Sequence, residues 1–118
     1  MAIRGRSKYK AIPTVVDGIR FHSKAESRHY VKLKLLEKAG EIVGLKLQPE
    51  FALYATSDLP IHEDRDPLRL GVYRGDFAYQ DKHGELHVVD VKGMDTPLSK
   101  WKRKHVAAQY GITVEIVK

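Results

Sequence analysis

The chain has 118 residues, no cysteine and a formal net charge of +6. This length suits one domain with a core of its own, and the absence of cysteine excludes disulfides and zinc sites built on thiolates. No apolar stretch is long enough to span a membrane, and the basic N-terminus lacks the apolar segment of a signal peptide, so we expect an intracellular protein.

The N-terminal third predicts an arm, a turn and a helix. Residues 1–12 are basic and weakly patterned, which indicates a flexible arm ahead of a single domain over residues 13–118. Two short strands are predicted around the turn signal Asp17-Gly18. A helix is predicted next, from an N-cap at Ser23 to its end just before Gly40.

The rest of the chain alternates strands with a loop and a second helix. In order, the pattern predicts strands at 45–47 and 51–54, a polar insertion at 55–71, strands at 72–80 and 85–92, a helix from Pro97 to about Tyr110, and a strand at 113–117. This order indicates an α/β fold in which helices pack on a mixed sheet. Val88 and Val89 put apolar groups on both faces of their strand, which is typical of a central strand.

Two aspartates and a lysine on neighbouring predicted strands are the most informative residues. Side chains alternate along a strand, so Asp90 and Lys92 lie on one face, roughly 7 Å apart at ~3.3 Å per residue. Asp76 reaches the same face if the two strands pair as a hairpin. Such a group is costly unless something binds there, and a divalent metal such as Mg²⁺ favours carboxylate oxygens. The alternative is three exposed residues on a surface hairpin.

Glu26 has two interpretations. The run Ser23-Lys24-Ala25-Glu26 fits the capping-box pattern, in which the glutamate closes back on the N-cap amide. Glu26, Tyr30 and Leu33 also recur at i, i+4 and i+7, which indicates a stripe that packs inward. A carboxylate at the start of the helix and aimed at the sheet can meet the two aspartates.

Basic segments flank an acidic middle. Residues 1–38 hold ten basic against three acidic residues, 39–97 hold six against eleven, and 98–118 hold five against one. Basic flanks suit a polyanion such as nucleic acid, although patchy charge is also common in proteins without that role. The expected phosphate contacts are Arg4, Arg6, Lys8 and Lys10 in the arm, and Lys100, Arg103 and Lys104 on the second helix.

The second helix therefore has two predicted faces. Lys100, Arg103 and Lys104 share one face by their i, i+3, i+4 spacing, and this face is either solvated or in contact with phosphates. Leu98, Trp101 and Ala108 are predicted to pack on the sheet.

The six histidines predict no metal site. There is no H-E-x-x-H motif, and of the neighbouring pair His83 and His87 one lies in a turn. Surface or partly buried histidines are the simpler interpretation.

Several runs together resemble known nucleases. Ser23-Lys24-Ala25-Glu26, Gly75-Asp76 and Asp90-Val91-Lys92-Gly93 resemble the motifs of the PD-(D/E)XK nuclease superfamily, with Gly75 in place of the motif proline. The predicted element order is similar to its core. Further runs over nearly the whole chain, such as Leu47-Gln48-Pro49, resemble a family of small phage-encoded nuclease-like proteins. Size, basicity and the helical glutamate are similar to those of Holliday junction resolvases.

This resemblance implies metal-assisted hydrolysis of DNA phosphodiester bonds. Asp76, Asp90 and the main-chain carbonyl of Val91 would hold Mg²⁺ or Mn²⁺, and Glu26 would hold a second ion or orient its water. Lys92 would position the attacking water or stabilise charge developing on the phosphate.

The resemblance leaves three functions open. The first is a Holliday junction resolvase that cuts four-way DNA as a homodimer, because two strands must be cut and one chain carries one acidic site. The second is another nicking or flap endonuclease with the same chemistry. The third is a nucleic-acid-binding module without catalysis. A phage-encoded protein would act in the host cytoplasm.

Overall fold

A four-stranded mixed sheet with a helix on each face is the centre of the fold. The computed structural model describes residues 13–55 and 67–118 of the chain. Its elements are β1 Thr14–Val16, β2 Ile19–Phe21, α1 Lys24–Lys38, β3 Ile42–Leu47, β4 Glu50–Ala55, β5 Leu68–Arg74, β6 Phe77–Asp81, β7 Leu86–Val91, α2 Pro97–Tyr110 and β8 Val114–Val117. The predicted α/β class and mixed sheet are confirmed.

The strands form one main sheet and two hairpins. The main sheet has the order β3-β6-β7-β8, in which β7 and β8 are parallel and the other pairs antiparallel. β1 pairs with β2 and β4 pairs with β5. Neither helix in the described part of the chain is long and apolar enough to cross a membrane. The predicted arm at 1–12, with Arg4, Arg6, Lys8 and Lys10, lies outside the described residues, as do residues 56–66 of the insertion.

Both helices begin and end where the sequence predicts. Ser23 caps α1 by accepting a hydrogen bond from the Glu26 amide, and Gly40 follows the helix with φ of 78°. Thr96 caps α2, Pro97 occupies its first turn, and Gly111 ends it in the left-handed conformation with φ of 71°. Side-chain caps satisfy the free amides of a first turn, and glycine adopts positive φ without strain, so these boundaries are set locally.

Two apolar cores lie on opposite faces of the main sheet. Tyr30 and Leu33 of α1 pack with Phe77 and Val89 on one face. On the other face Ala78 and Val88 pack with Leu53, Tyr73, Val106 and Val114. Val88 and Val89 are 0% and 1% exposed, so β7 is the doubly covered central strand that was predicted.

The outer face of α2 differs from the prediction. Leu98 and Trp101 are 60% and 73% exposed, and Ala108 is exposed as well, so their predicted packing on the sheet is wrong. Only Val106 of this helix is buried. The C-terminal half of α2 instead attaches to β4 by hydrogen bonds, because Gln109 and Tyr110 both donate to the Ala52 carbonyl.

The predicted single strand at 72–80 is wrong, because the chain changes sheet within it. β5 ends at Arg74 and β6 begins at Phe77, and β5 also includes residues 68–71, which were predicted as insertion. The predicted strands on either side of Pro49 likewise lie in different sheets, as β3 and β4.

The pairing register nevertheless continues across this break. Leu47 pairs with Phe77 and Glu50 pairs with Arg74, so the two residues between them on each strand keep the same register. Two hydrogen bonds span the gap, from the Gln48 amide to the Asp76 carbonyl at 2.9 Å and from the Gly75 amide to the Pro49 carbonyl at 3.0 Å. β3–β4 and β5–β6 are therefore one long antiparallel ribbon, which we call the bent ribbon.

Gly75 lies at this bend, where a side chain would be crowded. A Cβ at residue 75 would lie 3.1 Å from Val88 Cγ1 and 3.5 Å from both Pro49 Cγ and the Val89 carbonyl oxygen. Its amide is also engaged with Pro49, and a proline has no N–H to donate. Glycine at the position of the motif proline thus has a structural reason in this chain.

We expect Gly75→Ala to lower the free energy of unfolding by ~1 kcal/mol or more, because it overpacks a buried position against Val88. Gly75→Pro should cost more, since it also removes the hydrogen bond to Pro49, worth ~0.5–1.5 kcal/mol. Urea unfolding followed by circular dichroism measures both values. Gly71→Ala is the matched control, since a Cβ at residue 71 meets nothing within 4 Å. Wild-type stability in Gly75→Pro would contradict this account of the bend.

Candidate active site

Four predicted site residues come together at one end of the main sheet. Glu26 lies in the first turn of α1, Asp76 lies at the bend of the ribbon, and Asp90 and Lys92 lie at the end of β7. The Asp76 carboxyl contacts the carboxyls of both Glu26 and Asp90. Lys92 Nζ is 3.3 Å from Asp90 Oδ2. Residues separated by up to 66 positions thus form one cluster, which we call the acidic cluster.

Glu26 has a capping contact and a place in the acidic cluster at the same time. Its amide donates to Ser23 Oγ at 3.1 Å, and its Oε1 accepts from the His22 amide at 3.0 Å. The carboxylate therefore closes on the residue before the N-cap, and not on the N-cap amide itself. Glu26 is 8% exposed and contacts Asp76, so its capping contact does not keep it on the surface. The two interpretations of this residue are compatible in the structure.

Asp76 is held by the backbone of the neighbouring strand. Its Oδ2 accepts a hydrogen bond from the Val91 amide at 2.7 Å, and its own amide donates to the Val89 carbonyl at 2.9 Å. Burial raises the pKa of Asp76 to about 8, with a further contribution from contact with Glu26 and despite the opposing effect of the Val91 amide. Burial thus favours the protonated form of this carboxyl. The peptide of Val91, predicted to offer its carbonyl to a metal, lies beside the cluster.

Asp90 is buried, and one of its oxygens has both a hydrogen bond and an ion pair. Tyr73 Oη donates to Asp90 Oδ2 at 2.5 Å, and Lys92 approaches the same atom. Tyr73 is 3% exposed, and burial raises its pKa, with the bond to Asp90 adding to the effect, so the phenol stays protonated. No sequence pattern pointed to Tyr73, because its contact depends on β5 leaving the main sheet just before Asp76.

The composition of the acidic cluster fits a hard divalent cation. The Asp76 carboxyl contacts two other carboxyls in a largely buried place, and among the described residues only Lys92 forms an ion pair with any of the three. Carboxylates brought together out of water repel one another unless protons or cations compensate them. The atoms that these carboxyls offer to a metal are all oxygens, which are the ligands preferred by Mg²⁺ and Mn²⁺.

The predicted phosphate contacts of α2 are not equivalent in the structure. Lys100 and Lys104 are exposed. Arg103 forms a bidentate pair with Asp95 at 2.9 and 2.6 Å, and its side chain is only 14% exposed. Its charge is therefore already compensated within the protein. Lys102 instead lies close to the main chain, with Nζ 3.3 Å from the Val72 carbonyl.

A second polar cluster, which the sequence did not indicate, lies at the opposite end of β6 and β7. His87 is held between Asp81 Oδ2 at 2.8 Å from Nε2 and Glu115 Oε2 at 2.6 Å from Nδ1. Ligand atoms of Asp81, Glu85 and His87 all lie within 4.8 Å of one another. Because both ring nitrogens face carboxylates, the arrangement suits a doubly protonated imidazolium. The charge of His87 is thus compensated by Asp81 and Glu115 within the protein.

The pKa values of this second cluster follow from those contacts. Hydrogen bonds to Asp81 and then Glu115 raise the pKa of His87 above its ordinary value of 6.5. The bond from His87, together with backbone amides, lowers the pKa of Asp81 to about 2. The pairs join β6, β7 and β8 across the sheet, so they link stability to pH.

Comparison with known proteins identifies a family and gives no function. The model of a family described as "Protein of unknown function (DUF1064)" matches residues 6–117. No curated protein and no solved structure matches the chain. The matched range includes every described element and all four residues of the acidic cluster.

We expect the stability of the fold to decrease as pH rises through the raised pKa of His87. A folded pKa above the unfolded one means that the stabilisation is complete below about pH 6.5 and is lost at higher pH. Urea unfolding at about pH 6 and about pH 9 measures the decrease, and His87→Gln should make it smaller. His83→Gln, in the exposed turn, is the control and should behave like wild type. An unchanged pH dependence in His87→Gln would show that this cluster does not determine it.

Proposed function

This chain belongs to the DUF1064 family, and we propose that it is a metal-dependent endodeoxyribonuclease of the PD-(D/E)XK type. The observation that carries the proposal is the contact of Asp76 with both Glu26 and Asp90, beside Lys92. A cluster of three carboxyls is unfavourable for folding alone and suits binding of a divalent metal. A lysine next to such a metal site is suited to phosphate chemistry.

The proposed mechanism assigns a task to each residue. Asp76, Asp90 and the Val91 carbonyl would hold Mg²⁺ or Mn²⁺, and Glu26 would hold a second ion or orient its water. When bound, the metal supplies polarisation of the phosphate and a lower pKa of the attacking water. Lys92 positions that water or stabilises the charge that develops on the phosphate. Tyr73 orients Asp90 through its hydrogen bond, and the Val91 amide orients Asp76.

Features of the fold support the superfamily assignment without deciding it. A mixed sheet carries the two aspartates and the lysine, and a helix supplies the additional glutamate. Gly75 departs from the motif proline, and the tight contacts at the bend account for that departure. The proline in that motif shapes the strand and takes no part in the chemistry, so the proposed activity does not depend on it.

We propose branched DNA, with the four-way junction first, as the substrate. The basic arm and the exposed lysines of α2 suit a polyanion. Cutting two strands of a junction symmetrically requires two active sites, and a homodimer of this small chain would supply them. Cleavage of four-way, flap and linear duplex DNA in Mg²⁺ distinguishes a resolvase from a nicking or flap enzyme. Binding of these DNAs without cleavage of any of them would favour a nucleic-acid-binding module without catalysis.

We expect Asp76→Asn and Asp90→Asn to abolish cleavage while the fold is retained. Loss of a group that only supports a metal ligand costs ~10–100-fold, so loss of a ligand should cost more. Asparagine keeps an oxygen for the Val91 amide, and overall structure should survive. The measurement is a cleavage time course at saturating Mg²⁺ on the three substrates.

A readout independent of activity accompanies this test. A ligand that binds only the folded state stabilises it by ~2.7 kcal/mol at a hundred times its Kd. Mg²⁺ should therefore raise the melting temperature of the wild type and have a smaller effect in either variant. Glu41→Gln is the control, since this glutamate is 44% exposed and pairs with Lys82 in the turn between β6 and β7. Wild-type turnover in Asp76→Asn or Asp90→Asn would sink the nuclease proposal.

Glu26→Gln distinguishes a capping role from a metal role. Glutamine also serves in a capping box. If Glu26 only caps the helix, the substitution should lower the free energy of unfolding by well under ~1 kcal/mol and leave cleavage intact. We expect the opposite, in which cleavage is largely lost and the melting temperature changes little, because the negative charge beside Asp76 is removed. Full activity in Glu26→Gln, measured in the same assay, would return this residue to a purely structural role.

A further inference from the structure

The outward face of α2 exposes a large aromatic residue. Trp101 is the only tryptophan of the chain, and 73% of its surface is exposed. Leu98, one turn earlier on the same helix, is 60% exposed, and Leu70 of β5 is 58% exposed. Large apolar side chains grouped on a surface often indicate a binding site.

These residues line a groove that reaches the acidic cluster. One cavity of about 390 Å³ is lined by Leu70, Leu98, Trp101 and Lys102. A second, of about 410 Å³, is lined by Leu98, Lys102, Tyr73 and Lys92. Because the two cavities share Leu98 and Lys102, they form one continuous surface from Lys92 to Trp101, which we call the α2 groove. Each cavity lies within the ~300–1,000 Å³ range of sites for small molecules.

The charge of the α2 groove is positive over the described residues that line it. Lys92 and Lys102 lie along it, and Lys104 borders a larger cavity of about 790 Å³ that Trp101 also lines. None of the described residues lining these three cavities is an aspartate or glutamate. The acidic Asp95 nearby is already paired with Arg103.

An aromatic face among cations matches one kind of occupant. Unpaired nucleotides carry phosphates that lysines attract and bases whose flat faces stack on aromatic side chains. In an intact duplex the base faces are stacked on one another, so only the phosphates are available to such a surface. The combination therefore favours unpaired DNA over linear duplex.

We propose that the α2 groove binds unpaired nucleotides adjacent to the cleaved phosphate, with Trp101 stacking on a base. The position relative to the cleaved phosphate rests on the proposed function, since it places the reaction at Lys92 and the acidic cluster. The stacking itself rests only on the exposed tryptophan and the lysines around it. A branch point or a flap offers such nucleotides, whereas a perfect linear duplex offers none away from its ends.

The test uses the fluorescence of Trp101, which reports on this residue alone because the chain has no other tryptophan. The full chain is titrated in EDTA with three probes, a single-stranded oligo-dT, an abasic oligonucleotide of the same length and a linear duplex. We expect oligo-dT to quench the fluorescence, and the abasic oligonucleotide to bind without quenching. Anisotropy of labelled DNA measures binding separately.

Variants then assign the binding energy. Trp101→Ala should weaken oligo-dT binding about fivefold or more and leave abasic binding and the salt dependence unchanged. Trp101→Phe should retain part of the affinity. Lys104→Ala should flatten the salt dependence on single strands by ~0.7. Leu35→Ala is the matched control, since Leu35 is 62% exposed on α1 and belongs to the other helix.

The outcomes separate this inference from the nuclease proposal. Quenching by oligo-dT without cleavage of any substrate would support nucleotide binding in the α2 groove and contradict the endonuclease proposal. Normal cleavage with unchanged oligo-dT affinity in Trp101→Ala would contradict nucleotide binding in the α2 groove and leave the endonuclease proposal standing. Binding of oligo-dT without quenching, or no binding at all, would also overturn it. A blue shift of Trp101 that grows with protein concentration in the absence of DNA would show that a second copy covers this face instead.

Discussion

The bend in the long ribbon is the constraint on which the acidic cluster depends. At this point both strands of the ribbon leave the main sheet together. Two backbone hydrogen bonds, from Gln48 to Asp76 and from Gly75 to Pro49, keep the two strands in register. The bend places Asp76 next to β7, where the Val91 amide fixes its carboxylate. It also directs Tyr73 of β5 toward Asp90. In a straight ribbon neither Asp76 nor Tyr73 would make its contact with β7.

The acidic cluster opposes stability where it is buried, and the surrounding structure compensates for it. Asp90 accepts a hydrogen bond from Tyr73 and forms an ion pair with Lys92, and Glu26 accepts from the His22 amide. Asp76 shows how incomplete the compensation is, because burial and its acidic neighbour raise its pKa far above the ordinary value. Proteins commonly tolerate such local cost at functional sites. The cluster around His87 contrasts with it, since His87 there lies between the carboxylates of Asp81 and Glu115.

The sequence predicted those features that are determined locally. Ser23, Thr96 and Gly111 set the helix ends through caps and positive φ, and strand alternation placed Asp90 and Lys92 on one face. The missed features depend on tertiary geometry. The ribbon changes sheet at Gly75 because of close contacts with Val88 and Pro49, which no local pattern encodes. The apolar side chains of α2 indicated a buried face, but hydrogen bonds to β4 orient that helix and leave Trp101 outside.

The parallel pairing of β7 with β8 bears on the order in which the protein folds. Neighbouring antiparallel strands such as β6 and β7 can pair through a short turn, whereas β8 reaches β7 only after α2 has crossed over the sheet. Until then β7, which carries Asp90, has one unpaired edge, and such edges recruit strands of other molecules. Val106, at 0% exposure, anchors that crossover. Docking of α2 therefore brings β8 to β7 and pairs the open edge of the strand that carries Asp90.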